Sequence, residues 1–193
     1  MLKIGVLDIQ GGVAEHISML ERLSDVEPVK VKTKDDIDRI DALIIPGGES
    51  TAIGKLLMDF NLLDPLMHKI QSGLPTWGTC AGMILLAKKI SNHPKTFLNV
   101  MDIQVRRNAY GNQLDSFRTS LKLPAISKHE IPMVFIRAPY VENVEKDVKV
   151  LAKIDDIIIA CEQKNLLATS FHPELTDDIS FHTYFVENIV KRQ

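Results

Sequence analysis

Gly78-Thr79-Cys80-Ala81-Gly82 carries the clearest chemistry in this sequence. It has the form G-x-C-x-G between an apolar stretch and an amphipathic one, the pattern of a nucleophile elbow with cysteine in place of serine. A turn that sharp strains the backbone at the nucleophile and leaves little room beside it, which is why glycines flank it. Placing the sulfur at a helix N-terminus favours the thiolate. The same turn aims the Ala81 N–H at an oxyanion formed by attack. The other reading is a buried cysteine in a glycine-rich turn. Cys161 shows that alternative: it ends the apolar run Ile157-Ile158-Ile159-Ala160-Cys161, has no glycine elbow, and is expected to pack in the core.

A cysteine nucleophile needs a base, and the base needs an acceptor to orient it. His172-Pro173-Glu174 offers both, two residues apart across a rigid proline, just after the apolar run Leu166 to Phe171. A surface His-Pro turn is the alternative. Pairing with Cys80 is inferred from topology, because α/β sheets place their sites at the carboxyl ends of parallel strands. Pro46-Gly47-Gly48-Glu49-Ser50 closes a third apolar run at that same edge. Its glycines let backbone approach a ligand, and their N–H groups are candidates for an oxyanion hole. It lacks the Gly-Lys-Ser/Thr ending of a phosphate loop, and Ser50 is expected to cap the following helix. His68, His93, His129 and His182 form no convincing pair, and no H-x-x-x-H or C-x-x-C spacing is present. No metal and no cofactor are expected.

The elements that must position these groups follow from periodicity. Strands are expected over Leu2 to Leu7, Val29 to Val31, Ala42 to Ile45 and Pro75 to Trp77. Helices are expected over about Val13 to Leu23, Thr51 to Phe60, a stretch capped by Asp64-Pro65 and ending near Gly73, and from the elbow through Lys89. The second half is strand-rich: Met101 to Val105, Ser116 to Leu121, Met133 to Arg137, Val148 to Ile154, Ile157 to Glu162 and Leu166 to Phe171. Asp155-Asp156 reads as a hairpin turn, and Ser180 to Val190 as a closing helix. The prediction is α/β: a single domain over residues 1–193 with a doubly wound, mostly parallel and partly mixed sheet, flavodoxin-like, covered by helices on both faces.

Composition narrows the function. The 193 residues carry 23 Lys+Arg against 25 Asp+Glu, a net charge of -2. With no basic excess and only one Trp and three Tyr, nucleic acid is not expected as the main partner. Two cysteines make no disulfide framework, so a reducing, cytoplasmic setting is expected. No apolar run approaches the ~20 residues of a membrane span, and the start of the chain does not read as a signal peptide.

These residues resemble the class I (triad) glutamine amidotransferases. The elbow and His172-Pro173-Glu174 mark the superfamily. Gln10-Gly11 with Glu15-His16, Gly47-Gly48-Glu49-Ser50, Arg107-Asn108 with Gly111, Asp115-Ser116-Phe117 and Ile136-Arg137-Ala138-Pro139 narrow the likeness. They make the chain similar to the glutaminase subunits of pyridoxal 5'-phosphate synthase, over nearly its whole length. The resemblance implies hydrolysis of L-glutamine through a thioester on Cys80, with His172 moving the proton and Glu174 orienting it. It also implies glutamine binding by Gly47, Gly48, Glu49, Arg107, Ile136 and Arg137, an oxyanion hole at Gly48 and Ala81, and delivery of ammonia to a synthase subunit. A guanidinium suits the α-carboxylate of glutamine, and the Arg-Asn-x-x-Gly register selects Arg107 over Arg106. Asp8 departs from the small or apolar residue expected there and is expected to lie beside the site. The helix bearing Glu15 and His16 is the expected docking surface. The rival readings are another amidotransferase glutaminase, such as that of imidazole glycerol phosphate synthase, a cysteine hydrolase of the same fold class, and a catalytically idle flavodoxin-like module.

Overall fold

The structure is a computed structural model that describes residues 1–107 and 116–192. The expected motif residues Asn108, Gly111 and Asp115 lie outside the described residues. In chain order the first half runs β1 (Leu2–Leu7), α1 (Val13–Leu20), β2 (Val26–Val31), α2 (Lys34–Asp38), β3 (Ala42–Ile45), α3 (Ser50–Asp59), α4 (Leu63–Gln71), β4 (Thr76–Thr79) and α5 (Ala81–Leu86). The second half runs β5 (Ala87–Ile90), β6 (Met101–Arg106), β7 (Ser116–Lys122), β8 (Glu130–Ile136), β9 (Tyr140–Val144), β10 (Lys149–Ile154), β11 (Ile157–Gln163) and β12 (Leu166–Thr169). A 3-10 turn (Pro173–Leu175) follows, then α6 (Ser180–Tyr184), which passes into a wider π-helical stretch (Phe185–Val190).

The strands β2-β1-β3-β4-β12 form a parallel half-sheet in that order. β11 pairs antiparallel with β12, β9 and β10, and β9 pairs antiparallel with β6. The result is the expected α/β architecture with a mixed end. β7 and β8 form a separate antiparallel hairpin.

Alternation along β3 shows why both faces are covered. Leu43 and Ile45 join one buried cluster with Ile53, Leu57, Leu66 and Ile70 of α3 and α4. Ala42 and Ile44 join the opposite cluster with Val13 and Leu20 of α1 and Phe181, Phe185 and Ile189 at the C-terminal helix. A strand buried on both faces reads as an unbroken apolar run, as this one does. Ile131, Met133 and Phe135 of β8 seal the second cluster from the side.

Several boundaries differ from the sequence reading. β2 begins three residues earlier, because Pro28 is tolerated in a strand at the sheet edge. Ala87-Lys88-Lys89 leave the helix and form β5, whose lysines are exposed at the other sheet edge. α1 ends at Leu20 and continues only as turns to Leu23. α2, held by a reciprocal Thr33–Asp36 capping box, and β9 are both additional. Asp64 lies in the first turn of α4 and does not cap it, while Gly73 closes that helix at φ 111°. Glu49, not Ser50, caps α3, its carboxylate accepting from Ala52 N–H at 2.7 Å. The Asp155-Asp156 turn joins β10 to β11, with Asp155 at φ 52°.

Candidate active site

The elbow closes between β4 and α5. Cys80 sits at φ 49° and ψ -103°, a conformation that costs a non-glycine residue on the order of 1–3 kcal/mol and persists only where its surroundings enforce it. Those surroundings are tight. A Cβ on Gly78 would lie 2.4 Å from the Gly82 carbonyl carbon, and one on Gly82 would lie 2.2 Å from the Ile45 carbonyl oxygen. The glycines are therefore required by close backbone approach between the strand, the elbow and β3.

His172 follows β12, the neighbour of β4 in the sheet. Its N–H donates to the Val134 carbonyl at 2.8 Å, which ties the segment to β8. Pro173 then turns the chain into the 3-10 turn, so that Glu174 faces back and His172 Nδ1 lies 2.7 Å from Glu174 Oε1. The Cys80 thiol points at the Ile136 carbonyl, 3.9 Å away. Burial alone would push the His172 imidazole down. Hydrogen bonds to Cys80 and Glu174 outweigh it, and the group is pushed up to about 10. Burial would raise the Glu174 carboxyl, but His16 and His172 hold it below the usual range. Cys161, by contrast, is pushed up to about 12 by burial and by the neighbouring Glu162, so it is an inert thiol.

Gly47 packs against both Cys80 and His172. A Cβ there would lie 2.3 Å from His172 Cε1 and 3.3 Å from Cys80 Cβ. The Gly47 carbonyl accepts from Gly12 N–H at 3.2 Å, while Gln10 Oε1 accepts from Glu49 N–H at 3.0 Å. The start of α1 thus braces the glycine loop through two hydrogen bonds. Glu49 Oε1 accepts from Arg107 Nη2 at 3.1 Å. Arg106 faces the other way, donating to Glu142 at 2.6 Å. Arg137 carries a positive φ of 42° at the end of β8, a second strained residue beside the cysteine.

These groups surround a pocket of about 620 Å³. Gly47, Gly48, Glu49, Cys80, Ala81, Arg107, Ile136, Arg137, His172 and Glu174 all line it. A cysteine, a histidine hydrogen-bonded to a glutamate, and two guanidinium groups converge on one space, a set that could carry acyl transfer from a small charged substrate. Among the described residues, no group of three or more His, Cys, Asp or Glu is placed to hold a metal ion, and no helix is long and apolar enough to cross a membrane.

Residues 6–191 match the SNO glutamine amidotransferase family. The chain belongs to that family. A relative from Ruminiclostridium cellulolyticum, named pyridoxal 5'-phosphate synthase subunit PdxT, is 58% identical over 189 residues, covering 98% of this chain and all of its own. A relative of the same name from Clostridium botulinum is 52% identical over the full length of both chains. A solved structure described as a glutamine amidotransferase superposes with a TM-score of 0.89 at 41% identity, covering 95% of this chain and 97% of its own.

Two expectations about this SNO family member need correction. Asp8 does not border the pocket; it turns to Lys30 of β2 at 3.9 Å and to Lys32 just after it at 3.2 Å. His16 is fully buried, so it belongs to no docking surface; Ala14, Glu15 and Ser18 form the exposed face of α1. Its Nδ1 lies 3.0 Å from His182 Nε2 and its Nε2 lies 3.4 Å from Glu174 Oε2. Sequence reasoning found no partner for His182, and nothing in local spacing joins residues 16 and 182. Only α1 and α6 packing on one sheet face brings them together. The signal available was a helical histidine on the apolar stripe of α1, in line with Leu20.

Proposed function

We propose that this chain hydrolyses L-glutamine to L-glutamate and ammonia at Cys80, as a single glutaminase domain, and passes the ammonia to a pyridoxal 5'-phosphate synthase subunit. The Cys80 thiolate attacks the carboxamide carbon, and the carbonyl oxygen becomes an oxyanion facing the N–H groups of Gly48 and Ala81. Collapse breaks the C–N bond as His172 donates its proton, so ammonia leaves and a γ-glutamyl thioester remains. A water, losing its proton to His172, then attacks the thioester and restores the thiol while releasing glutamate. Glu174 holds His172 in register at its Nδ1 and stabilises the imidazolium.

The observation that carries this reading is the strained Cys80 beside a His172 that is hydrogen-bonded to Glu174 at 2.7 Å, in one pocket with Arg107. Arg107 takes the α-carboxylate as a charge-assisted pair. Glu49, its present partner, is then free to take the α-ammonium. Arg137 and Ile136 line the opposite wall.

The partner reading rests on the names of the relatives above and on the loop geometry. The Gly47–Gly48 peptide has its carbonyl turned toward α1, where it accepts the Gly12 N–H. Turning that peptide over breaks one 3.2 Å hydrogen bond and meets no side chain of its own. Docking on the exposed face of α1 would shift this brace and present the Gly48 N–H to the oxyanion. The subunit and its partner work in the cytoplasm. The experiment is glutamate release from glutamine, by the chain alone and with the synthase subunit.

A further inference from the structure

Behind Glu174 lies a buried polar group that the reaction steps do not use. Glu174 Oε1 serves His172, but Oε2 is buried without a hydrogen bond, and the polar atom set against it is His16 Nε2 at 3.4 Å. His16 Nε2 also lies 3.3 Å from Thr79 Oγ1, one residue before the nucleophile. On its other side, His16 Nδ1 meets His182 Nε2 at 3.0 Å, and His182 Nδ1 has no partner. Both rings are fully buried, and Trp77 packs edge-on to each, with ring centroids 5.8 and 4.9 Å away.

The protons can be placed by elimination. One hydrogen must lie between His16 Nδ1 and His182 Nε2. If His16 donated it, the bare His16 Nε2 lone pair would face the Glu174 carboxylate, and His182 would carry a buried N–H with no acceptor. Both costs vanish if His182 donates instead. His16 then holds its proton on Nε2, hydrogen-bonded to Thr79 Oγ1 at 3.3 Å, with Glu174 Oε2 in electrostatic contact 3.4 Å from the same nitrogen. The bare His182 Nδ1, an acceptor, is then left without a partner. We propose that His16 and His182 are positioning residues for the triad: a relay of two neutral rings, each protonated on Nε2, that sets a positive N–H edge beside the Glu174 carboxylate and fixes it toward His172.

Burial decides the charge state of both rings. Burial pushes both imidazoles down. For His16, Glu174 and Glu15 oppose this while His172 adds to it; for His182, His16 and Arg22 add to it. Two neutral rings carry no net charge, yet their aligned dipoles present a positive end to the carboxylate in a low-dielectric site. The relay rests on the triad reading above.

Its test separates the two. In the complete chain, long-range ¹H–¹⁵N correlation spectra report the tautomer of each histidine without any need for turnover. The relay predicts neutral Nε2–H rings for His16 and His182 at about pH 7 and above, to about 9. A proton on His16 Nδ1, or a charged ring in that range, overturns it. Glutaminase kinetics with the synthase subunit supply the second arm. His16→Leu should lower kcat roughly tenfold or more with KM little changed, and should move the acid limb of kcat/KM upward as Glu174 loses that electrostatic contact. His16→Gln, whose amide N–H stands near the lost Nε2–H, should recover most of the rate and the wild-type limb. Equal losses in both variants with an unmoved limb would make His16 a packing residue and end the proposal. A wild-type protein without glutaminase activity would sink the proposed function and leave the tautomers to decide the relay.

Discussion

Arg107 donates to Glu49 at 3.1 Å, and Glu49 at the same time caps α3 through Ala52 N–H at 2.7 Å. The guanidinium proposed to receive the substrate carboxylate is therefore pre-aimed by a carboxylate that is itself locked to a helix end. Such pre-organisation lowers the entropy lost when glutamine binds. Arg107→Ala should raise the apparent KM for glutamine at least about tenfold with a smaller change in kcat. Arg106→Ala, which loses its pair with Glu142, should leave KM near wild type. Steady-state kinetics of the two variants check this, and the reverse ranking would move recognition to Arg106.

Cys80→Ala should abolish turnover and leave the fold intact. Cysteine already places a Cβ in this strained turn, so alanine adds no steric cost at φ 49°. Cys161→Ala should retain near wild-type turnover, because that thiol is buried in β11 and pushed up to about 12. Substantial glutamate release by folded Cys80→Ala protein would remove the nucleophile assignment.

His172→Asn should cost about 10³-fold or more in kcat, and Glu174→Gln less, since a neutral acceptor still orients the ring. The pH dependence carries a sign. The imidazole is raised from 6.5 to about 10 in the folded protein. Its stabilising contacts are thus fully present below about 6.5 and are lost as pH rises through about 10. The alkaline limb of kcat/KM should fall in that upper range, and Glu174→Gln should shift it downward. An unmoved limb in that variant would separate Glu174 from the His172 proton.

Gly82→Ala should destabilise the protein by about 2–4 kcal/mol, because its Cβ would lie 2.2 Å from a backbone oxygen of β3 that cannot swing aside. Urea unfolding measures the loss. A change below about 0.5 kcal/mol would show that the elbow is looser than its contacts imply.

Much of the frame was legible in the sequence because buried parallel strands are unbroken apolar runs and glycines mark the turns between them. β1 and β3 have the expected bounds for that reason. Where two principles competed, local pattern lost. Ala87-Lys88-Lys89 continues an apolar helical run, yet pairing with β6 draws it into a sheet edge. Ser50 reads as a cap by type, but the helix begins with it and Glu49 takes the N-cap position, accepting from Ala52 N–H. Cys80, His172 and the Gly47–Gly48 loop were readable because each follows a strand of the parallel half-sheet; Arg107, Ile136 and Arg137 entered only through the family resemblance, and all of them line one pocket. His16 and His182 were not readable as a pair: one reads as part of an apolar helix stripe, and only the packed sheet face joins them.

Glutamate release from glutamine, measured with the isolated chain and then with saturating pyridoxal 5'-phosphate synthase subunit, tests the central claim most directly. The account predicts weak activity alone and strong activation in the complex, with Gly48→Val losing that activation: its side chain would crowd Gln10 Oε1, 3.0 Å from a Cβ at that position, and Ile53. No glutamate release in either state would contradict the glutaminase assignment. Full activity without the partner would contradict the gated oxyanion hole.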